Sequence, residues 1–292
     1  MRKAPGSRLR ALVWGEPCQA RHRDIRATLC SVLLVGVFVA PAAAITLISV
    51  EREVEIGRQA NADIRKQTPE LTDREVRDYV RSIGARLVKG APGPRYPYSF
   101  SVANYRELNA FALPGGPVWI NRGVLQAATN ESQVAGVLAH EIAHIAQRHA
   151  AAQMTKGVFA NLGLGLLGAL LGNGGGAAAA QTVAGAGANL WFLKFSRDDE
   201  AEADRVGLQI LRRGGWDGRG MTELFETLRR EQGRNPASVE VFFSSHPAPQ
   251  DRLQALRAEA SKARGGTRDT PKFQAIRKKL QTLPAARQMP RR

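Results

Sequence analysis

Residues 131–150, ESQVAGVLAHEIAHIAQRHA, constrain this chain more than any other stretch: an apolar-periodic run of helical character carries His140-Glu141-Ile-Ala-His144 at its centre. Successive helical residues turn by about 100°, so His140 and His144 project from one face a single turn apart, close enough to share a metal ion. Two imidazoles at this spacing are the zinc-binding half of a hydrolytic site, and Glu141, between them and just off their line, stands where a general base toward water is needed. Val134, Val137, Leu138, Ile142 and Ile145 are the apolar positions of a buried helix. Asn130-Glu131-Ser132 is its start signal.

A formal charge of +16 over 292 residues, 43% of them apolar, would ordinarily suggest a nucleic-acid or membrane partner. Its distribution argues otherwise, because residues 1–44 hold seven Lys/Arg against two acids and residues 260–292 ten against one, which leaves 45–259 at only +2. No aromatic-interleaved basic stripe accompanies either end, so no nucleic acid is expected as a partner. Residues 260–292 read as a basic C-terminal tail, solvated and partly disordered. Cysteine occurs only as Cys18 and Cys30, ahead of the body. His, Glu and Asp are therefore the candidate ligands, which suits a catalytic site with an open coordination position better than a closed structural zinc knot.

The opening residues follow the order of a secretory signal: a polar, Arg-rich stretch to 26, an apolar run from Leu29 to Ala40, then Pro41-Ala-Ala-Ala44. A signal peptide over 1–44 is expected, with export to a bacterial periplasm; an uncleaved anchor in the inner membrane is the alternative. The apolar run is short and proline-broken for a span, and Leu29 ahead of Cys30 disfavours lipidation.

Within the body, Ile56, Ala60 and Ile64, then Val76, Val80, Ile83 and Leu87, recur at helical steps, and the break at Thr68-Pro69 makes two helices. Tyr98–Ala103, Ala110–Leu113 and Val118–Ile120 read as three short strands, the last two joined through Pro114-Gly115-Gly116-Pro117. The expected fold class is α+β, mainly helical, with a small β-sheet beside the histidine helix. An edge of that sheet can pair with an extended peptide backbone; equally, the sheet can simply support the helix. Residues 157–190, rich in Gly, Ala and Leu, read as a mobile insertion of apolar helices lying over the site or against a membrane surface, with a buried core helix as the other reading. Their glycine content favours mobility, at about 1 kcal/mol per helical glycine.

A zinc site with two histidines needs a third protein ligand. Ser196 can cap a helix that carries Glu200 and Asp204 one turn apart on one face. Glu202 or Asp198 could replace Glu200, but the spacing of four with Asp204 favours Glu200 as ligand, with Asp204 placed to accept the second ring proton of a ligating histidine. His246 sits in a loop ahead of the helix Gln250–Glu259, where it could orient substrate, stabilise an oxyanion or cover the metal. Trp216 and Met221–Glu231 read as structural. Phe273, Ile276, Leu280 and Leu283 form an apolar stripe amid Arg277, Lys278 and Lys279, suited to packing on the body or to an anionic membrane.

Asn109-Ala-Phe-Ala-Leu-Pro-Gly-Gly116, His140-Glu-Ile-Ala-His144 extended to Arg148-His149, Glu200-x-x-x-Asp204, and Ser245-His246-Pro247 with Arg252 fall in one order across most of residues 50–258. In this combination the chain resembles the zinc metallopeptidase family of the CAAX prenyl endopeptidase, HtpX, the mitochondrial Oma protease and the periplasmic BepA-like enzymes, and within it the BepA-like branch without tetratricopeptide repeats. The resemblance implies a gluzincin core over 45–259 with one Zn²⁺ per chain, held by His140, His144 and Glu200. It implies Glu141 as base, Asp204 and Arg252 as supports behind the ligands, Asn109, Ala110 and Phe111 as substrate-binding residues, and His246 as a catalytic or gating residue. His149 lies about 140° around a continuous helix from His144, so it is set apart from the metal as structural. The expected activity is endopeptidase cleavage of misfolded or exposed envelope proteins, with polypeptides as partners and a membrane surface as a further contact for 157–190 or the tail. The alternative is a zinc-stabilised, chaperone-like binding protein whose proteolysis is weak or gated.

Overall fold

Ser49 opens the first element by accepting a hydrogen bond from the Arg52 amide, which satisfies one of the orphan donors of a helix start. In the computed structural model, which describes residues 46–157, 194–247, 250–262 and 265–290, this helix, α1, runs Val50–Gln67. α2 follows over Arg74–Val88, its start held by Asp73 accepting from the Val76 amide. The break at Thr68-Pro69 is where the sequence places it. The expected signal region 1–44 lies outside the described residues, as does the insertion beyond residue 157.

Three strands come next, β1 (Ser99–Ala103), β2 (Ala110–Ala112) and β3 (Pro117–Asn121), in the order β1-β3-β2. β1 pairs parallel to β3 and β2 antiparallel to it. Every residue of β3 is buried, as a central strand covered on both faces requires. A short helix that the sequence pattern does not announce, α3 (Arg122–Ala127), leads into α4 (Glu131–Ala146), and all sixteen residues of α4 are buried. Asn130 caps it by accepting from the Gln133 amide at 3.2 Å.

α4 is the axis of the fold. It packs against α5 (Arg197–Arg213), against α6 (Arg219–Arg234) and against the β2 side of the sheet. Both helix crossings depend on glycine: a Cβ at Gly207 of α5 would stand 3.1 Å from the His140 Cα, and one at Gly136 of α4 would stand 2.8 Å from the Met221 Cα. Backbones meeting this closely set α5 directly over the histidine face of α4. The short α7 (Glu240–Ser245), α8 (Gln250–Ser261) and α9 (Pro271–Thr282) follow.

The C-terminal residues depart from the expected solvated tail. Phe273, Ile276 and Leu280 of α9 are fully buried, with the Phe273 ring stacked 6.4 Å from that of Tyr79. Beyond α9, Arg287 exchanges backbone hydrogen bonds with Asn104 and Arg106, and the Met289 amide donates to Glu107 Oε2 at 2.9 Å. The physical reason is Arg122, a cation only 2% exposed, whose guanidinium donates to the carbonyls of Leu280 and Pro284, both at 2.6 Å. Glu131 adds a second tie by accepting from Tyr79 Oη, Trp216 Nε1 and Thr270 Oγ1. The segment thus packs on the body, the first of the two roles its apolar stripe suited. Among the described residues no helix is long and apolar enough to cross a membrane.

Candidate metal centre

The single-turn spacing on α4 brings His140 Nε2 and His144 Nε2 to 3.0 Å from each other, in a site where the two residues are 1% and 2% exposed. Two ring nitrogens facing each other this closely out of water need a proton or a cation between them. α5 arrives from the other side. A reciprocal capping box between Ser196 and Asp199 fixes its start, and one turn further Glu200 points inward. Glu200 Oε1 lies 3.4 Å from His144 Nε2, and Oε2 lies 3.6 Å from His140 Nε2. Asp198 is exposed and Glu202 bonds Gln147 and Arg205 instead, so of the three carboxylates weighed from the sequence Glu200 is the one that faces both histidines.

His246, 1% exposed, enters from the loop after α7. Its Nδ1 is 2.9 Å from Glu200 Oε1 and its Nε2 is 3.7 Å from Glu141 Oε1. One donor atom from each of His140, His144, Glu200 and His246 falls within 4.8 Å of the others. Glu141 itself is completely buried, and neither of its oxygens has a hydrogen-bond partner within the described residues.

Support comes from behind. Asp204 Oδ1 stands 3.1 Å from His140 Nδ1, and Arg252 grips Asp204 with two bonds, Nε to Oδ2 at 2.6 Å and Nη2 to Oδ1 at 2.8 Å. The same guanidinium pairs with Glu200 through Nη1, donates to the Pro247 carbonyl at 2.9 Å and lies over the Phe225 ring at 4.8 Å. One arginine therefore ties the carboxylate ligand, its neighbour and the His246 loop together.

The charges act on one another as these distances require. Burial alone would lower His140, but the Asp204 and Glu200 carboxylates override it and raise the imidazole to about 9. Burial pushes His144 well below the usual histidine value, with the His140 charge adding to that effect. Glu141 is raised, chiefly by burial, against the pull of His246 and His140. Burial works against ionising Glu200 and Asp204 too. Even so, the three histidines hold Glu200 below the carboxylate range, and Arg252 and His140 do the same for Asp204.

The donor set fits a divalent metal. His140, His144 and Glu200 turn their donor atoms toward one another in a site closed to water, an arrangement of ring nitrogens and a carboxylate that a divalent cation satisfies. Two imidazole nitrogens and one carboxylate oxygen are the protein ligands of a catalytic zinc, and His246 stands where the fourth position would be.

The remaining candidates lie alongside. Asn109, Ala110 and Phe111 are buried at the head of β2, the strand at one margin of the sheet. The Asn109 carbonyl and the Leu113 amide bond into β3, so by antiparallel alternation the main-chain groups of Ala110 and Ala112 point away from it. The Ala112 backbone lies against Glu141 and acts to lower its carboxyl. His149, set apart as structural, is not among the four converging donors, but its Nδ1 stands 2.9 Å from His144 Nδ1. A continuous helix would turn His149 away from His144, but α4 stops at Ala146 and Arg148 adopts φ 61°, so a new helical segment starts at 149.

The chain is similar in sequence to known proteases. The beta-barrel assembly-enhancing protease of Escherichia coli (strain K12) is 33% identical over 222 residues, 74% of this chain and 45% of that protein. The mitochondrial metalloendopeptidase OMA1 of Saccharomyces cerevisiae is 33% identical over 153 residues, 51% of this chain and 42% of that protein. Metalloprotease LoiP of Escherichia coli (strain K12) is 29% identical over 169 residues, 56% of this chain and 64% of that protein. The chain thus spans about half the length of the beta-barrel assembly-enhancing proteases it matches. The sequence pattern of Peptidase family M48 matches residues 74–260, from α2 through the histidine helix and Glu200 to α8, and the chain belongs to that family of zinc metallopeptidases.

Proposed function

We propose that this chain is an exported zinc-dependent endopeptidase that cleaves misfolded or exposed proteins of the cell envelope. One observation carries the reading: three ring nitrogens and a carboxylate converge beside a second, fully buried carboxylate that has no hydrogen-bond partner among the described residues. His140, His144 and Glu200 would hold Zn²⁺, which supplies the Lewis acidity that acidifies water and polarises a peptide carbonyl. Glu141 takes the proton of the attacking water and delivers it to the leaving amine nitrogen as the C–N bond breaks. Its raised proton affinity suits a group that must hold that proton between the two transfers. Asp204, gripped by Arg252, accepts the second ring proton of His140 and keeps the other ring nitrogen toward the metal.

The outward main-chain groups of Ala110 and Ala112 pair with an extended substrate, between the side chains of Asn109 and Phe111, and so accept many sequences. His246 is a gate. Bonded to Glu200 and close to Glu141, it stands in the space that a substrate carbonyl has to enter, and it swings out for turnover. The same placement favours the second reading, a zinc-stabilised binding protein with its proteolysis shut. The signal-like residues 1–44 and relatives whose names tie them to beta-barrel assembly support a periplasmic setting.

Zinc content and casein cleavage of the parent, Glu141→Gln and His246→Ala test these readings side by side. Bound zinc throughout, with cleavage lost in the Gln variant, establishes the peptidase. Greater activity in His246→Ala establishes the gate, and an inactive His246→Ala makes that residue catalytic. Zinc without cleavage in any form selects the binding protein, and a parent that binds no zinc refutes both.

A further inference from the structure

We infer that His149 is a positioning residue for the metal centre: it fixes the tautomer and the ring plane of His144 through an imidazole–imidazole hydrogen bond anchored on Glu202. The inference rests on His144 being a metal ligand. His144 Nδ1 and His149 Nδ1 are 2.9 Å apart with the rings nearly perpendicular, and on the far side His149 Nε2 is 3.4 Å from Glu202 Oε2. An ionised carboxylate only accepts, so facing it His149 carries its hydrogen on Nε2 and presents a lone pair at Nδ1. That lone pair needs a donor. His144 must therefore carry its own hydrogen on Nδ1, which leaves His144 Nε2 bare on the side where His140 and Glu200 converge.

The proton order is thus set from the surface inward. Glu202 is itself held by Gln147 Nε2 at 2.7 Å and by Arg205 at 3.1 Å. Phe195 stacks on the His144 ring at 4.1 Å and stands 6.1 Å from His149, closing the space around the pair.

The backbone is shaped for this contact. On an uninterrupted helix His149 would face elsewhere, and it reaches His144 because Arg148 takes φ 61°, a region that L side chains rarely adopt. Arg148 is locked there by Nε donating to Glu53 Oε1 at 2.8 Å and by Nη2 bonding the Ile48 carbonyl, with Glu53 only 2% exposed. The two ligating histidines thus have different supports, an anionic carboxylate behind His140 and a neutral imidazole behind His144.

Removing a partner behind a metal ligand typically weakens the site about 10–100-fold. His149→Phe keeps a ring against His144 and Phe195 but offers no acceptor, whereas His149→Asn returns an acceptor near the Nδ1 position. Zinc affinity, read by competition with a chromogenic chelator on the full chain, is expected to fall in this range for His149→Phe and to be recovered largely by His149→Asn. In ¹⁵N-labelled, zinc-loaded protein the His144 Nδ1–H is expected to exchange slowly with water in the parent and fast in the Phe variant. A Phe variant that binds zinc as the parent does, or an Asn variant as weak as Phe, overturns the inference. If the Phe variant does not fold, Glu202→Ala decides, with a loss of zinc affinity expected and an unchanged affinity overturning the inference. A parent without zinc instead refutes the reading of the metal centre itself, and this inference with it.

Discussion

Replacing Glu141 by Gln keeps the shape of the side chain, removes its charge, and should move activity and stability in opposite directions. Glu141 is 0% exposed, and neither oxygen has a hydrogen-bond partner among the described residues. Its carboxyl is raised above the ordinary value of 4.5, first by burial, and the His246 and His140 charges only partly offset this. Since the folded state resists ionisation more than the unfolded chain does, stability is lost as pH rises past the unfolded value toward the folded one, and stays lost above it. Gln stays polar and unpartnered in this pocket, so what the substitution recovers is the extra cost of burying a charge there, on the order of 1–3 kcal/mol. In a protein of 150–250 residues each kcal/mol is worth roughly 2–4 °C of Tm. Metal-free Glu141→Gln is therefore expected to melt about 2–10 °C above the parent at neutral pH, by the same conversion, with the gain vanishing in acid where the carboxyl is protonated in both states. Peptide hydrolysis by the zinc-loaded variant falls about 10²–10⁴-fold, the usual contribution of a general acid–base group. Calorimetry of chelator-treated protein in acid and at neutral pH, beside hydrolysis of a quenched peptide, reads both. A variant less stable than the parent at neutral pH would refute the account of an unpartnered buried charge, and hydrolysis within about tenfold of the parent would remove Glu141 as the base.

Zinc binding should release protons at neutral pH, because in the metal-free protein His140 holds its proton up to about 9 and the metal must displace it. Apparent affinity then rises with pH toward that value and levels off above it, and titration calorimetry in buffers of different ionisation heat checks the release directly. Arg252→Met leaves Asp204 and Glu200 facing each other without their cation, and breaking such a buried pair costs about 3–5 kcal/mol. Chemical denaturation of metal-free protein measures that loss, and adding Asp204→Asn should recover part of it. Phe273→Ala opens a cavity beneath α9 and should cost about 3–5 kcal/mol in the same assay. A midpoint equal to the parent's would mean that the C-terminal segment is the dispensable tail that its charge suggests.

What the sequence revealed of this site divides by the range of the interaction that determines it. His140, Glu141 and His144 were legible because a shared metal demands an i, i+4 spacing, and Glu200 with Asp204 because the same spacing recurs behind a Ser196 cap. Three short strands and most helix limits followed from alternation, glycine and proline. His149, set apart from the metal as structural, lies outside the four converging donors, but its contact with His144 was not legible, for a reason of the opposite kind. The wheel argument assumes a continuous helix, and continuity ends at Arg148 because of Glu53, 95 residues earlier in the chain. The C-terminal segment shows the same limit. Its apolar stripe was visible, but Arg277, Lys278 and Lys279 beside it suit a membrane as well as a protein face. Arg122 decides the matter, a buried cation whose hydrogen bonds are met by carbonyls more than 150 residues away at Leu280 and Pro284. Local spacing can declare a metal site, whereas the second partner of each buried charge is chosen by the fold. Arg252 stands between the two cases: its sequence position allows a helix near Glu200, and only the crossing of α5 and α8 turns that into two hydrogen bonds to Asp204 and one to the carbonyl that carries the His246 loop.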